Sequence, residues 1–219
     1  MENNLRLKIF GARSLVLFIL LCLLTVFMRA DAQQEIYIEE NDMESLTLFL
    51  IEDFSKEDGV SPLGTKWKQY TDQVMGGEST AFHTFEVIEG HRCIRLQGDV
   101  SLENRGGFVQ VALPLKKAGR PFNANQFAGV RLWVRGNGET YYVHLRSSST
   151  WLPWQYYEAS FFADDQWREV RIPFTEFKPQ SLKTKLKTNK LKRVAIVAAH
   201  KAFKADIAVH RIEFYRVNE

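Results

Sequence analysis

The chain has 219 residues, 45% of them hydrophobic and 25% charged, with a formal net charge of +3. That length supports one domain with a sizeable core. The charge is too nearly balanced for a nucleic-acid-binding surface, which draws on a strong basic excess.

The chain opens on a basic stretch with Arg6, Lys8 and Arg13, then runs apolar from Leu15 to Phe27 apart from Thr25, then reaches Ala30-Asp31-Ala32. A basic start, a short apolar run and a small-x-small site read as a secretory signal peptide over 1–32, cut after Ala32. The run is short for a membrane span, which takes about 20 apolar residues. An uncleaved signal acting as an anchor is the alternative. A mitochondrial presequence fits less well, because the segment is apolar all round and carries Glu2. The reading therefore places the protein outside the cytoplasm, periplasmic or extracellular. Residues 33–45 are acidic and weakly patterned, with Glu35, Glu39, Glu40, Asp42 and Glu44, and are expected to form a flexible lead-in. Residues 46–219 form the domain. Cys22 leaves with the signal, so Cys93 has no internal disulfide partner and is read as a small buried hydrophobe, with a reactive thiol as the alternative.

From Leu46 the pattern is almost all strand. Leu46–Phe54, Ala81–Ile88, Cys93–Leu96 and Phe108–Leu113 are β-rich runs. Val130, Leu132 and Val134 alternate with Arg131, Trp133 and Arg135; Tyr141, Val143 and Leu145 alternate with Tyr142, His144 and Arg146. Gln155–Phe162, Trp167–Ile172, Arg193–Ala199 and Ile207–Val217 complete the set, with one helical turn over Thr175–Phe177. Period-two alternation broken by Gly, Asn and Asp marks an all-β sandwich or barrel. Arg135-Gly136-Asn137-Gly138-Glu139 has the Asn-Gly step of a tight hairpin. The segment 182–193 carries Lys183, Lys185, Lys187, Lys190, Lys192 and Arg193. It reads as a solvated loop, or as a patch for an anionic partner or a membrane surface.

Motifs for chemistry fail in turn. Gly76-Gly77 is followed by Glu78 and a strand, with no lysine placed to meet phosphate, so it is not a P-loop. No Gly-x-Ser-x-Gly elbow or His-Glu-x-x-His pair occurs, and His83, His91, His144, His200 and His210 have no zinc spacing. Asp164-Asp165 suits a turn better than a carboxylate pair. Glu52, Asp53 and Glu213 would suit calcium only weakly, and only if the first and last strands are neighbours. No catalytic residue, cofactor or metal is assigned, and the protein is read as a non-enzyme.

A binding face is legible on the polar side of two strands. Arg131, Trp133 and Arg135 share one parity, and Tyr142, His144 and Arg146 share it across the expected hairpin, with Trp151 and Trp154 in the loop that follows. Aromatic and arginine anchors of this kind carry binding energy. In the alternative reading a loop covers Trp133 and the arginines pair with Glu158 or Glu169.

"TDQVMGGES" (71–79) then resembles the hallmark of the complex I intermediate-associated protein family, the thirty-kilodalton assembly-factor type. Thr71, Asp72, Met75, Gly76, Gly77 and Ser79 carry the resemblance. Trp67 lies upstream. "GDVSLENRGGFVQV" (98–111) resembles the family's second glycine pair, Gly106-Gly107 before Phe108. "FAGVRLWVRGNGETYYVHLR" (127–146) and "WREVRIPFTEFKP" (167–179) follow in the family's order. The resemblance implies a jelly-roll β-sandwich, similar to galactose-binding and carbohydrate-binding modules, and a non-catalytic role in holding a partner protein during assembly of respiratory complex I. It makes the glycine pairs structural turns, with Asp72 and Ser79 satisfying turn N–H groups. Mitochondrial members work in the matrix, whereas this chain reads as exported. A protein partner in the envelope is therefore the first expectation and a glycan the second.

Overall fold

The computed structural model describes residues 48–56 and 59–216. The signal peptide, the lead-in and the two ends of the expected domain lie outside the described residues. Within them the fold is all-β, with two antiparallel sheets facing each other across one core.

The first sheet contains β1 (Leu48–Glu52), β3 (Thr80–Ile88), β4 (His91–Val100), β6 (Gly129–Arg135), β9 (Arg168–Pro173) and β12 (Phe203–Tyr215). Its order is β3-β4-β12-β6-β9, with β1 paired to the C-terminal part of β12. The second sheet contains β2 (Lys68–Thr71), β5 (Phe108–Pro114), β7 (Glu139–Ser147), β8 (Tyr156–Ala163), β10 (Lys178–Gln180) and β11 (Leu191–Ala199), in the order β10-β8-β7-β11-β5-β2. One parity of each strand fills the core: Val130, Leu132 and Val134 from β6 meet Tyr141, Val143 and Leu145 from β7 and Val194, Ile196 and Ala198 from β11. Each large aliphatic side chain buried here contributes about 1.5–3 kcal/mol. Cys93 is buried on β4 outside this core cluster, and removal from water pushes its thiol up to about 11.

Three sequence expectations change. β2 and β10 are short polar edge strands with no apolar alternation to reveal them. The helical turn is a 3-10 turn over Phe174–Glu176. The largest change is at the Asn-Gly step. β6 pairs with β12 and β9, and β7 pairs with β11 and β8, so no hairpin joins β6 to β7. The bend instead carries the chain from one sheet to the other. Gly138 adopts φ +79°, and Gly136 packs where a Cβ would lie 2.8 Å from Ala163 Cβ. Asn137 Nδ2 donates to Lys204 O at 2.8 Å and fixes the crossing to the first sheet.

Candidate functional site

The crossing splits the expected binding face. Arg131, Trp133 and Arg135 point outward from the first sheet; Tyr142, His144 and Arg146 point outward from the second, on the opposite side of the sandwich. The physical reason is that alternation reports which side of a strand meets the core, not which sheet the strand joins. Arg131 Nε donates to Glu213 at 2.8 Å and its Nη1 lies 3.5 Å from Glu169. Arg135 donates to Asp165 O at 2.7 Å and pairs with Glu89 at 3.4 Å. Trp133 is half-buried between Glu169 and Arg211 in register. This face is a network of closed ion pairs. Two of the calcium candidates are equally committed: β1 and β12 are neighbours, but Glu52 accepts from the Trp67 indole at 2.9 Å and from the Phe54 amide at 2.9 Å, while Glu213 takes Arg131 and Arg211; Asp53 accepts from the Ser55 amide at 3.1 Å. Among the described residues no group of three or more His, Cys, Asp or Glu side chains is arranged to hold a metal ion.

The outer face of the second sheet is different. One row crosses all six strands in register: Lys68, Ala112, Ala195, His144, Glu158 and Lys178. The central strands β5 and β11 present small side chains, Ala112, Ala195, Val197 and Ala199, and larger Tyr70, Phe108 and Tyr142 pack against them. Small residues between large ones make a groove of about 650 Å³. Val74, Met75, Gly107, Phe108 and His200 line one end; Arg146, Arg193, Pro153, Trp154 and Tyr156 line the other. Of the sequence candidates the groove gathers His144, Arg146 and Trp154, with Tyr142 packed on its floor. Trp151 is 85% exposed and stands outside the lining. Tyr70 and Tyr156 carry no sequence assignment, and Arg193 and His200 join the groove from the basic 182–193 segment and from the histidines without zinc spacing. Their signal was the small-residue alternation of "RVAIVAA" (193–199), which marks an outward surface kept low.

Electrostatics divide the groove. His144 stacks on Tyr156 with centroids 4.0 Å apart and planes 13° apart. His144 Nε2 and His200 Nε2 each lie 2.8 Å from Glu158 Oε2. Burial pulls His144 below the ordinary imidazole value against the pull of Glu158, so it is neutral and donates from Nε2–H. Burial works to raise Glu158, but hydrogen bonds from the two histidines outweigh it and hold the carboxyl low. Burial pushes the Tyr156 hydroxyl up to about 12. Among the described residues no hydroxyl or thiol hydrogen-bonds to either histidine. At the far end Arg146 donates from Nε to Thr150 Oγ1 at 3.2 Å and from Nη2 to Leu152 O at 2.8 Å. Arg193 lies over the Tyr70 ring at 5.3 Å. Among the described residues neither arginine has a carboxylate partner.

The double glycines border this groove. Asp72 is buried, covered by two turns rather than deep in the core. Its carboxylate accepts from Ser79 N at 2.9 Å, from the Ser79 hydroxyl, from Gly107 N at 2.5 Å and from Phe108 N at 3.4 Å. These bonds overcome the upward push of burial and keep the acid below the usual carboxylate range. Gly76 and Gly107 take φ +88° and +131°. Gly77 and Gly106 serve by closeness: a Cβ on either would sit 2.4 Å from an Asp72 carboxyl atom. Each pair thus holds one glycine for backbone angle and one for contact. Beyond the clasp Val74 and Met75 project into solvent, 69% and 52% exposed.

The chain belongs to the Complex I intermediate-associated protein 30 (CIA30) family, whose model matches residues 53–208. No curated protein matches it. Among solved structures it is similar to a family 11 carbohydrate-binding module from Clostridium thermocellum in complex with a β-1,3-1,4-mixed-linked tetrasaccharide, at 12% identity and TM-score 0.61, covering 79% of this chain and 98% of the module. A family 11 module of the Clostridium thermocellum cellulosomal cellulase Lic26A-Cel5E is similar at 12% identity and TM-score 0.59, covering 78% and 96%. A family 30 module of the Clostridium thermocellum cellulosomal cellulase Cel9D-Cel44B follows at 12% identity and TM-score 0.51, covering 73% and 95%. At this identity the likenesses establish the jelly-roll fold and nothing further.

Proposed function

We propose that this is a non-catalytic binding protein, exported from the cytoplasm, that holds a partner protein in the groove of the second sheet as an assembly factor holds a subunit. The observation that carries the reading is the composition of the groove and its rim. Arginine, tyrosine, tryptophan and methionine are the residues enriched in protein interfaces. Here Arg146, Arg193, Tyr70, Tyr156, Trp154 and Met75 converge on one concavity. The rim is aliphatic as well as aromatic, through Val74 and Met75 at one end and Leu152 beside Trp154 at the other. Family membership supports the same reading.

Site-specific photocrosslinking in the native envelope tests it. A crosslinker placed at Met75 or Trp154 is expected to yield one discrete protein adduct, and one at Trp133 on the opposite face none. Adducts from Trp133 alone, or from all three positions equally, would reject the groove as the contact.

A second reading has its own support. The His144–Tyr156 stack and Trp154 offer flat rings, and the similar family 11 module is described with a bound tetrasaccharide. In gels cast with mixed-linked β-1,3-1,4-glucan, retardation that disappears in Trp154→Ala would favour a glycan over a protein.

A further inference from the structure

We propose that the Arg146–Arg193 end of the groove is a carboxylate-docking subsite, and that the partner enters the groove through an extended, acidic polypeptide segment. The inference rests on the protein-partner reading above and specifies what part of the partner is held.

Arg146 and Arg193 are direct register partners on β7 and β11. Like charges placed opposite each other in a sheet are destabilising. Elsewhere on this molecule several arginines sit beside carboxylates, among them Arg95 with Asp206 at 2.7 Å and Arg131 with Glu213 at 2.8 Å, while Arg216 donates to the Gln126 side-chain oxygen at 2.9 Å. The two groove arginines do not sit beside a carboxylate, although each is held in place, Arg146 by the Thr150 and Leu152 oxygens and Arg193 by the Tyr70 ring. Glu158, the acid in the adjoining row, is already spent on His144 and His200, and Gln180 donates to its other oxygen at 3.5 Å. The surroundings add positive charge. Ser181 lines the groove at the start of the segment whose Lys183, Lys185 and Lys187 are all exposed. Two fixed, partly dehydrated guanidinium groups with a basic approach are complementary to carboxylates, which arginine grips through paired N–H donors.

The choice of polypeptide follows from the rest of the groove. Its opposite end is bordered by the exposed Val74 and Met75. Aliphatic side chains match apolar side chains and give nothing to a sugar's hydroxyl groups. From Arg193 to Ala199 the floor runs along six steps of β11, about 20 Å at strand rise, which accepts roughly six residues of extended chain.

The experiment uses the hexapeptide Glu-Leu-Glu-Tyr-Glu-Leu, fluorescein-labelled, against the same peptide with glutamine for each glutamate. Anisotropy titrations are run on the full chain at low and at high salt. The glutamate peptide is expected to bind at least about tenfold more tightly than the glutamine peptide at low salt. Salt should erode that difference, and Arg193→Gln should narrow it by weakening the glutamate peptide more than the glutamine peptide. The wild-type comparison needs no variant, so misfolding of a mutant does not blunt it. Equal affinity for the two peptides, both weakened by Trp154→Ala, would overturn the carboxylate subsite while leaving the groove reading intact. Failure of both peptides to bind, or binding indifferent to Trp154→Ala and Arg193→Gln together, would overturn the groove reading itself. Tighter binding of tetragalacturonate, displacing the glutamate peptide, would overturn polypeptide in favour of an acidic saccharide.

Discussion

Replacing Asp72 with alanine should unfasten the two glycine turns. The side chain has four hydrogen bonds, but they are not equal. The Ser79 hydroxyl keeps an alternative acceptor in Ser101 O at 3.2 Å, and the Phe108 bond is long at 3.4 Å. The bonds that matter come from Gly107 N at 2.5 Å and Ser79 N at 2.9 Å. Two buried donors left without an acceptor cost about 1–3 kcal/mol each. Because thin turns cover the site, water can reach it once the carboxylate is gone, which places the total at the lower end, about 2–4 kcal/mol. For a domain of this size that is a fall in Tm of roughly 5–15 °C. Thermal melting followed by circular dichroism at pH 7 measures it, with Asp72→Asn expected between the wild type and Asp72→Ala. The clasp also fixes a pH dependence. Asp72 is held below its ordinary value in the folded chain, so its contribution is complete above the unfolded carboxyl pKa of about 3.9 and disappears as pH falls through the folded value. The gap between wild type and Asp72→Ala should therefore close in strong acid. A Tm for Asp72→Ala within about 2 °C of wild type at pH 7 would refute the clasp as a source of stability.

Asparagine tolerates a left-handed backbone better than alanine does, so Gly76→Asn should melt above Gly76→Ala, whereas at Gly77, where contact with Asp72 decides, asparagine should be the worse of the two; the opposite order would reverse the roles given to the pair. His144 and Glu158 both titrate below their ordinary values when folded, so the unfolded chain takes up protons first, from about pH 6.5 for the histidine and about 4.3 for the acid. Tm should thus decline from pH 7 to pH 5, with a shallower slope in His144→Gln; the slope should not vanish, because burial lowers His83 too, and identical slopes would show that His144 is not held neutral by the fold. N-terminal sequencing of the exported protein should begin at Gln33; an intact Met1 on membrane-bound material would replace export with anchoring.

The sequence revealed faces better than neighbours. Val130, Leu132 and Val134, and Tyr141, Val143 and Leu145, are core residues as their alternation indicates. Nothing in that alternation distinguishes a hairpin from a crossing, because Asn137-Gly138 bends the chain tightly in either case. The cost of that ambiguity fell on the site: six residues assigned to one surface divide between two. Arg193 was hidden for a related reason. It closes a run of lysines that reads as a loop, yet it begins the outward row of β11, where burial pulls its guanidinium below the ordinary arginine value while Tyr70 works against the shift. Glycine pairs were legible as turns. Their union through one carboxylate was not, since Asp72 and Gly107 meet only after β3 and β4 have paired and returned the chain.

The clasp also explains why a structural motif borders a binding groove. β2 belongs to the second sheet and β3 to the first; β4 belongs to the first and β5 to the second. Asp72 lies where the chain leaves β2, and Gly107 where it enters β5, so one side chain ties together two crossings between the sheets. The 3-10 turn Asp72–Met75 is fixed at its start by that tie and at its end by Gly76, whose N–H donates to Gln73 O at 3.1 Å. Val74 and Met75 are what this rigid turn presents to solvent. They contribute little to the tie, so a Val74→Ser, Met75→Ser double variant should melt close to wild type, as exposed substitutions do, within about 0.5 kcal/mol per site. The same variant should weaken the hexapeptide probe in its glutamate and glutamine forms alike, because what it removes is apolar contact rather than charge. Asp72→Ala, by contrast, should lower both Tm and binding. A Tm for the double variant as low as that of Asp72→Ala would mean that Val74 and Met75 hold the clasp closed, and that this rim belongs to the fold rather than to the partner.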